Sequence, residues 1–342
     1  MHPLLKSTHR PLWRDDRTVQ FGVDPDRALV LTDVGPPAAH LLHQLDRDLR
    51  VADRPIGHPS TSPVLDLLTR ARCLDAAVDG LSPRLRADRA LLGLVHPDAG
   101  HADRVLAGRS GTRVQIIGGG RVGACLAHLL ASSGVGRVTV VDPEPVGPDD
   151  ACPGGLSEAD VGLRRGAAAT ALAVRAMPPA LDAGPPDIAV LCPDGAAPPP
   201  VDVWRPLWSR GTALLCASVR ETTAVVGPFT RPGGTGCPDC VSWHRADRDP
   251  AWPVIERQLA DPERRPAGTA SAVLALAAAT TAAGEVLTWI DRNAVCGVTL
   301  LASERATLEL PWPGWQWRRR FWGPHPQCPC SGNTAITTQG TE

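Results

Sequence analysis

Residues 113–123 read Arg113-Val114-Gln115-Ile116-Ile117-Gly118-Gly119-Gly120-Arg121-Val122-Gly123. The β-branched run before the glycines predicts a buried strand, and the apolar stripe over residues 124–130 predicts a helix after them. Gly118 is expected to allow a tight turn, Gly120 to let a phosphate approach the backbone, and Gly123 to let the helix pack closely on the strand. The N-terminus of that helix offers free N–H groups to an anion. The stretch therefore predicts a nucleotide-binding turn.

A second strand and an acidic residue follow this turn at the spacing that nucleotide binding requires. Residues 137–141 form another β-branched run, and Asp142 ends it, 24 positions after Gly118. A carboxylate at this place accepts hydrogen bonds from ribose hydroxyls. The predicted nucleotide contacts are therefore Gly118, Gly120, Gly123 and Asp142, and the alternative is an α/β domain whose glycines serve only the turn.

The composition is that of a globular chain with room for two hydrophobic cores. The 342 residues are 43% hydrophobic, and 35 Lys and Arg nearly balance 36 Asp and Glu. This balance excludes general disorder and a strongly basic surface, so no nucleic-acid partner is expected. The N-terminus lacks the apolar core of a signal peptide, and the apolar stretch 270–289 is broken by Gly284 and Glu285. We expect a buried helix there, no membrane segment and a cytoplasmic protein.

Two close cysteine pairs predict a metal site. Cys237-Pro238-Asp239-Cys240 and Cys328-Pro329-Cys330 are separated by a long stretch of chain, and proline stiffens both turns. Two such turns supply the four thiolates of a tetrahedral structural zinc site, which leaves no open position for water. The alternative, a redox C-x-x-C motif, leaves the second pair unexplained.

The rest of the chain suggests a second, smaller domain. Short alternating runs within residues 9–35 predict a strand meander, and apolar residues at helical spacing follow it. Residues 1–80 are therefore predicted to form a small α+β, winged-helix-like domain. Residues 81–110 are interpreted as a linker with a candidate strand at Ala90–Val95, residues 111–330 as the nucleotide-binding domain, and residues 331–342 as a flexible tail.

The order of glycine turn, Asp142 and two cysteine pairs resembles the ThiF/MoeB/HesA family of E1-like activating proteins. The resemblance covers residues 111–330, including the phrase from Ser133 to Asp142. In Val161-Gly162-Leu163-Arg164-Arg165, Arg165 stands where the family has a catalytic Lys. The strand 188–191 leads to Asp194, which in relatives holds Mg²⁺. The implied fold is Rossmann-like with a mostly parallel sheet.

The resemblance implies adenylation, in which the C-terminal carboxylate of a small protein or peptide attacks the α-phosphorus of ATP. Asp142 would hold the ribose, the glycine turn the phosphates, Asp194 the Mg²⁺, and Arg165 would supply positive charge. Relatives dimerise through this domain, so a homodimer is expected. The N-terminal region is similar to PqqD-like peptide-recognition modules, and the alternative for it is a capping or dimerisation module.

The chain departs from the family in its phosphate-facing residues. Relatives carry an Asn-Leu-x-Arg-Gln segment where this chain has Ala151 to Leu156, which contains no cation. Arg121 replaces a small glycine of the family and is expected either to substitute for the lost arginine, as a catalytic cation, or to fill the phosphate space. Residues 241–268 contain no cysteine, which argues against an acyl thioester.

These departures leave two alternative functions open. One is a non-catalytic scaffold that binds a leader peptide for a partner enzyme of peptide natural-product biosynthesis. The other is a nicotinamide-dependent oxidoreductase, which leaves the cysteine pairs and Asp194 unexplained. Four tryptophans near Arg318–Arg320 are expected to pack around the zinc turn rather than to stack on a ligand: Trp312, Trp315, Trp317 and Trp322.

Overall fold

The chain forms two compact units, Met1–Ala107 and Gly108–Glu342. The computed structural model describes residues 3–6, 8–46, 62–76, 81–95, 100–261, 270–294 and 300–330. The predicted tail 331–342 lies outside these residues. The stretch 81–110, interpreted from the sequence as a linker, contains two helices, and the second of them runs across the boundary between the units.

The first unit begins with the predicted strands followed by helices, and a fifth strand follows the second helix. Its strands are β1 (Pro3–Leu5), β2 (Pro11–Trp13), β3 (Val19–Phe21), β4 (Leu29–Leu31) and β5 (Leu74–Ala76), and its helices are α1 (Pro36–Asp46), α2 (Ser62–Arg70), α3 (Arg86–Val95) and the start of α4 (His101–Ser110). Strands β2, β3 and β4 form the expected antiparallel meander, while β1 pairs with β5. Val19 and Phe21 on β3 are buried against Leu42 of α1 and Leu68 of α2. The candidate strand Ala90–Val95 is wrong, because those residues continue α3.

The second unit alternates strands and helices as far as its fourth strand, beginning with the strand, glycine turn, helix and strand that the sequence predicts. Its elements are β6 (Arg113–Ile117), α5 (Arg121–Ser132), β7 (Arg137–Val141), α6 (Arg165–Ala176), β8 (Ile188–Leu191), α7 (Val201–Ser209), β9 (Ala213–Arg220), β10 (Thr223–Thr230), α8 (Pro238–Arg248), α9 (Trp252–Ala260), α10 (Ala272–Ala294), β11 (Ala306–Pro311) and β12 (Arg318–Phe321).

These strands form one mostly parallel, seven-stranded sheet in the order β12-β11-β10-β9-β8-β6-β7. Strands β6, β7, β8 and β9 are mutually parallel, and β10, β11 and β12 extend the sheet in antiparallel fashion. Strand β7 lies on one side of β6, and the next strand along the chain, β8, lies on the other side of β6. Ligands of open α/β sheets bind at such a reversal of strand order, beyond the carboxyl ends of the strands.

Both faces of the central strands are buried. On β8, Ile188 and Val190 belong to one hydrophobic cluster, while Ala189 and Leu191 belong to another. The first cluster includes α10, whose small buried residues such as Ala275 let helix and sheet approach closely. Length and apolar composition alone would allow α10 to span a membrane. In this structure, however, α10 is buried against the sheet, as the sequence predicts for this apolar stretch.

Candidate functional site

The glycine turn joins the end of β6 to α5 and depends on close backbone contacts. Gly118 has φ +106°, and a Cβ atom there would lie 2.0 Å from the Cys192 carbonyl oxygen. A Cβ at Gly123 would lie 1.9 Å from the Gly118 carbonyl oxygen. No L side chain fits at either position without displacing backbone. The predicted roles of Gly118 in the turn and Gly123 in helix packing therefore have a direct steric basis.

We expect Gly118→Ala to lower the free energy of unfolding by at least about 3 kcal/mol, because it combines left-handed strain with a backbone clash. Denaturant unfolding measures this loss. Gly162→Ala is the matched control, since Gly162 has φ +87° but no atom within 4 Å of its Cβ position. The control is expected to lose only about 1 kcal/mol. Equal losses in the two variants would show that the approach of Cys192 is unimportant.

Asp142, at the end of β7, holds the turn through the protein backbone. Its Oδ2 accepts a hydrogen bond from the Gly119 N–H at 2.7 Å, and its Oδ1 accepts one from the Glu144 N–H at 2.9 Å. Only 6% of its side chain is exposed. The residue predicted to bind ribose therefore also orients the predicted phosphate-binding turn.

Arg165, the first residue of α6, lies among three carboxylates. Its Nε is 3.1 Å from Asp142 Oδ2, in an ion pair without hydrogen-bond alignment. Its Nη1 is 3.2 Å from Asp194 Oδ2 and 3.4 Å from Asp150 Oδ1. We call these four residues the Arg165 cluster. Three carboxylates and one guanidinium leave two negative charges in excess.

Burial and charge act in opposite directions on the members of the Arg165 cluster. Burial opposes the positive charge of Arg165, but Asp194, Asp142 and Asp150 outweigh it and raise the arginine pKa. Burial also raises the pKa of Asp194 above its ordinary value; Asp142 and Asp150 act in the same direction, and Arg165 opposes them. The guanidinium therefore favours the charged form of Asp194, which burial and the two neighbouring carboxylates disfavour.

A cavity of about 300 Å³ lies beside this cluster, at the carboxyl ends of β6, β7 and β8. Its apolar lining comes from Ile117, Val141, Leu191 and the proline run 198–200. Its charged lining groups are Asp142, Glu144, Arg165, Asp194 and Asp202. The position is the one that nucleotides occupy in doubly wound sheets. An apolar slot next to the N-terminus of a helix suits a base and a phosphate.

The cluster does not fit Mg²⁺ as it is arranged. Asp142, Asp150 and Asp194 supply the hard oxygen donors that Mg²⁺ prefers. However, Nη1 of Arg165 lies within 3.4 Å of two of these carboxylates. A cation at the same carboxylates would have to displace the guanidinium.

The structure brings four of the predicted site residues together at one cavity, whereas Gly120, Arg121 and Gly123 do not line it. Gly118, Asp142, Arg165 and Asp194 line one cavity. Arg121, by contrast, starts α5 with its Nη1 donating to the Ala270 carbonyl at 2.7 Å, and it does not line the cavity. Its buried Nε has no hydrogen-bond partner among the residues that the structure describes.

Sequence reasoning missed two parts of the site. Asp150 and the run Pro198–Pro200 contribute to the cluster and to the cavity, respectively. A signal for Asp150 was present in the acidic pair Asp149-Asp150, directly before the segment that departs from the family pattern. The proline run gives no local signal, because its place at the cavity depends on how α7 follows β8.

The two cysteine pairs meet, as predicted, on the face of the sheet opposite α10. Cys237 precedes α8, Cys240 lies in its first turn, and the ligand atoms of all four cysteines lie within 4.8 Å of one another. The Sγ atoms of Cys237 and Cys328 are 3.5 Å apart, and those of Cys240 and Cys330 are 3.4 Å apart. Sulfurs at the corners of a tetrahedral zinc site lie about 3.8 Å apart. The cluster therefore has the donors and the spacing to hold zinc.

Histidine and aromatic side chains support this cluster. The His325 backbone N–H donates to Cys240 Sγ at 3.4 Å. Hydrogen bonding from the Cys237 thiol first, and from this N–H second, lowers the pKa of Cys240 to about 5, against the effect of burial. His325 Nε2 lies 2.8 Å from Asp247 Oδ2. His244 is half-buried and its Nε2 is hydrogen-bonded to the Gly323 carbonyl. These contacts fix the second cysteine turn against α8.

Comparison with known proteins extends the sequence resemblance. Residues 102–185 match the model of the ThiF family; the match includes Gly118, Asp142 and Arg165 but ends before Asp194 and the cysteine pairs. No curated protein matches the sequence.

Three solved structures illustrate the fold. E. coli MccB with ATP is 16% identical with a TM-score of 0.63, and the match covers 96% of this chain and 99% of that one. The microcin C7 biosynthetic enzyme MccB in complex with N-formylated MccA is 16% identical with a TM-score of 0.64 and the same coverage. PaaA is 15% identical with a TM-score of 0.63, over 93% of this chain and 99% of that one. The ThiF part of the sequence resemblance is therefore confirmed at the level of similarity: residues 102–185 match the ThiF family model, and the chain shares the Rossmann-like fold of these E1-like structures.

Proposed function

We propose that this chain is a ThiF-type, ATP-dependent adenylyltransferase that activates the C-terminal carboxylate of a peptide or small protein. The observation that carries the proposal is the convergence of the glycine turn, Asp142 and Asp194 on one cavity beyond the carboxyl ends of β6 and β8. Solved structures with this fold include MccB with ATP and MccB with the peptide MccA, which supports both substrate classes.

In this reaction a carboxylate oxygen of the acceptor forms a bond to the α-phosphorus, and pyrophosphate leaves with the electrons of the broken bond. The catalytic requirement is positioning and charge neutralisation. The N–H groups at the start of α5 would face the phosphates, and Asp142 would hold the ribose. Arg165 would meet the developing negative charge after exchanging its carboxylate partners for phosphate oxygens.

The remaining assignments belong to the same proposal. Zinc at the four cysteines would be structural, because four thiolates leave no site for water. Mg²⁺ would reach Asp194 only after Arg165 leaves it. We further infer a peptide-recognition role for residues 1–80, a catalytic body over residues 111–330, and a cytoplasmic homodimer that binds neither nucleic acid nor membrane.

The proposal predicts exchange of labelled pyrophosphate into ATP by the full chain in the presence of Mg²⁺ and its acceptor. Asp194→Ala is expected to lower the exchange rate by at least roughly 100-fold, because the variant loses a group that helps to position charge in the transition state. Asp149→Ala is the matched control, because Asp149 is exposed and lies outside the Arg165 cluster. Exchange that survives Asp194→Ala would contradict the role of Asp194.

A second candidate function is a catalytically inactive scaffold that binds a leader peptide for a partner modifying enzyme. The observation that favours it is the Arg165 cluster: among the described residues, Arg165 is the one cation that lines the cavity, and three carboxylates already hold it. The segment Ala151–Leu156 adds no positive charge, and Cys152 and Leu156 are buried. A bare triphosphate would therefore face net repulsion at this site.

One binding experiment separates the two candidates. Peptides encoded beside the gene are labelled and titrated with the full chain, and pyrophosphate exchange is measured on the same samples. Peptide binding together with exchange supports the adenylyltransferase, whereas tight binding with no exchange at saturating Mg²⁺-ATP supports the scaffold. Exchange without binding of any neighbouring peptide would contradict the peptide acceptor and point to a small-protein acceptor.

A further inference from the structure

An arginine-rich surface lies on the second unit, away from the nucleotide cavity. Four arginines come from three elements: Arg220 ends β9, Arg245 and Arg248 lie on α8, and Arg320 lies on β12. Three of them face the buried ring of Trp322, with guanidinium carbons 5.8, 5.0 and 5.9 Å from its centroid for Arg245, Arg248 and Arg320. We call the four residues Arg220, Arg245, Arg248 and Arg320 the Trp322 arginines.

Positive charge is in excess at the Trp322 arginines. Glu309 accepts ion pairs from Arg320 at 3.3 Å and from Arg220 at 3.7 Å. Within the part of the chain that the structure describes, Arg245 and Arg248 have no carboxylate within 4 Å. Burial lowers the pKa of Arg245 to about 10, Arg220 and Arg320 act in the same direction, and Glu256 and Glu309 oppose them. A partly buried guanidinium without an ion pair is stabilised by an incoming anion.

The neighbouring strand β12 is an outer edge of the sheet. It pairs with β11 on one side, and Arg318, Arg319, Arg320 and Phe321 are all exposed. Arg318 and Arg320 share one face, about 6.8 Å apart, because side chains alternate along a strand. The other edge of such a strand offers unpaired N–H and C=O groups to a further strand.

Exposed aromatic rings lie in the connection between β11 and β12, which leads into this edge strand. Trp312, Trp315 and Trp317 are 52%, 43% and 46% exposed, and the Trp312 and Trp315 rings contact each other at 5.6 Å. The expectation that these three pack around the zinc turn is therefore wrong; Trp322 alone among the four is buried, with its Nε1 donating to Thr307. Exposed tryptophans next to arginines have the composition of protein interface hot spots.

We infer that the free edge of β12 binds an extended acidic segment of a partner protein, with carboxylates at alternate positions facing Arg318, Arg320 and Arg248. Strand pairing would supply backbone hydrogen bonds, and the exposed tryptophans would cover the apolar side of the segment. A polypeptide fits better than nucleic acid, because a strand edge matches a peptide backbone and the chain as a whole carries a net charge of −1.

This surface is separate from the proposed catalytic site. In the sheet order, β12 lies four strands from β8, which is about 19 Å at the usual spacing between strands. Loss of the acidic segment is therefore expected to leave nucleotide exchange unchanged. The docking surface can fail as a hypothesis while the proposed function stands, and the reverse also holds.

The test uses the full chain and a fluorescein-labelled peptide of alternating Glu and Thr, followed by anisotropy. We expect Arg248→Glu and Arg318→Gln each to weaken binding at least roughly tenfold, the effect of losing one charge-assisted contact. Arg210→Glu is the matched control, because Arg210 is an exposed arginine at the end of α7, outside this surface. Thermal unfolding checks that all variants fold.

Three further probes test the alternation of charge, the strand pairing and the class of ligand separately. A peptide of the same composition with Glu and Thr in separate blocks should bind more weakly, and an N-methylated peptide should lose binding because strand pairing needs its N–H groups. Equal binding of the N-methylated peptide would overturn the strand-pairing model. Tighter binding of a single-stranded oligonucleotide, abolished by Arg248→Glu, would reassign the surface to nucleic acid.

Discussion

Purified protein should contain roughly one zinc ion per chain, and Cys240→Ser should lose it together with a large part of the stability of the second unit. The reason is that Cys237, Cys240 and Cys328 belong to a buried cluster with Leu191 and Trp204 on one face of the sheet. Without the metal, the two cysteine turns are no longer joined. We expect a loss of about 4 kcal/mol, or a fall in Tm of roughly 8–16 °C for a unit of this size.

Metal analysis and thermal unfolding together test this expectation. Cys216→Ser provides the control, because Cys216 is a free cysteine of β9 outside the metal cluster. It should retain zinc in full, whereas a chelator should lower the Tm of the wild type towards that of Cys240→Ser. Zinc-free wild-type protein with an unchanged Tm would refute a structural metal.

Arg165→Gln is expected to have the second large effect, because it leaves three neighbouring carboxylates without their common cation. Removing one partner of a buried ion pair costs roughly 3–5 kcal/mol. The same change opens a space lined by oxygen donors, so millimolar Mn²⁺ should raise the Tm of the variant but not that of the wild type. Calorimetric titration of Mn²⁺ into both proteins measures the new site directly.

The stability of the Arg165→Gln variant, relative to wild type, is expected to rise as the pH falls. Burial raises the pKa of Asp194 in the folded protein. A carboxyl with a raised pKa contributes stability that is fully present below its unfolded pKa and is lost as the pH rises through the folded pKa. Without Arg165 the opposing charge is gone, so the variant should become more stable, relative to wild type, as the pH falls from neutral.

A second substitution provides the control for this interpretation. Arg165→Gln combined with Asp194→Asn removes one of the three carboxylates and should recover much of the lost stability, while weakening Mn²⁺ binding. If Arg165→Gln were as stable as wild type at neutral pH, the three carboxylates would not depend on the guanidinium. The Arg165 cluster would then be a solvated surface network with little influence on nucleotide binding.

The parts of the site that the sequence predicted are those encoded by short patterns. The strand, the glycine spacing and Asp142 lie within 30 consecutive residues of the chain, and their steric requirements are local. The two cysteine turns are equally local, and four thiolates at metal-ligand spacing indicate that the turns meet even though 90 residues separate them. The tryptophans were misjudged because ring size predicts burial only on average.

The sequence by itself determined a Rossmann-like unit, its glycine turn, Asp142 at the end of the next strand and the paired thiols with metal-ligand spacing, since each depends on residues that are neighbours in the chain. Only the tertiary structure decided that Arg165 is held by Asp142, Asp150 and Asp194, and that β12 leaves arginines and tryptophans on an open edge. Charge pairing and exposure depend on which distant segments the sheet brings together, and no local pattern encodes that.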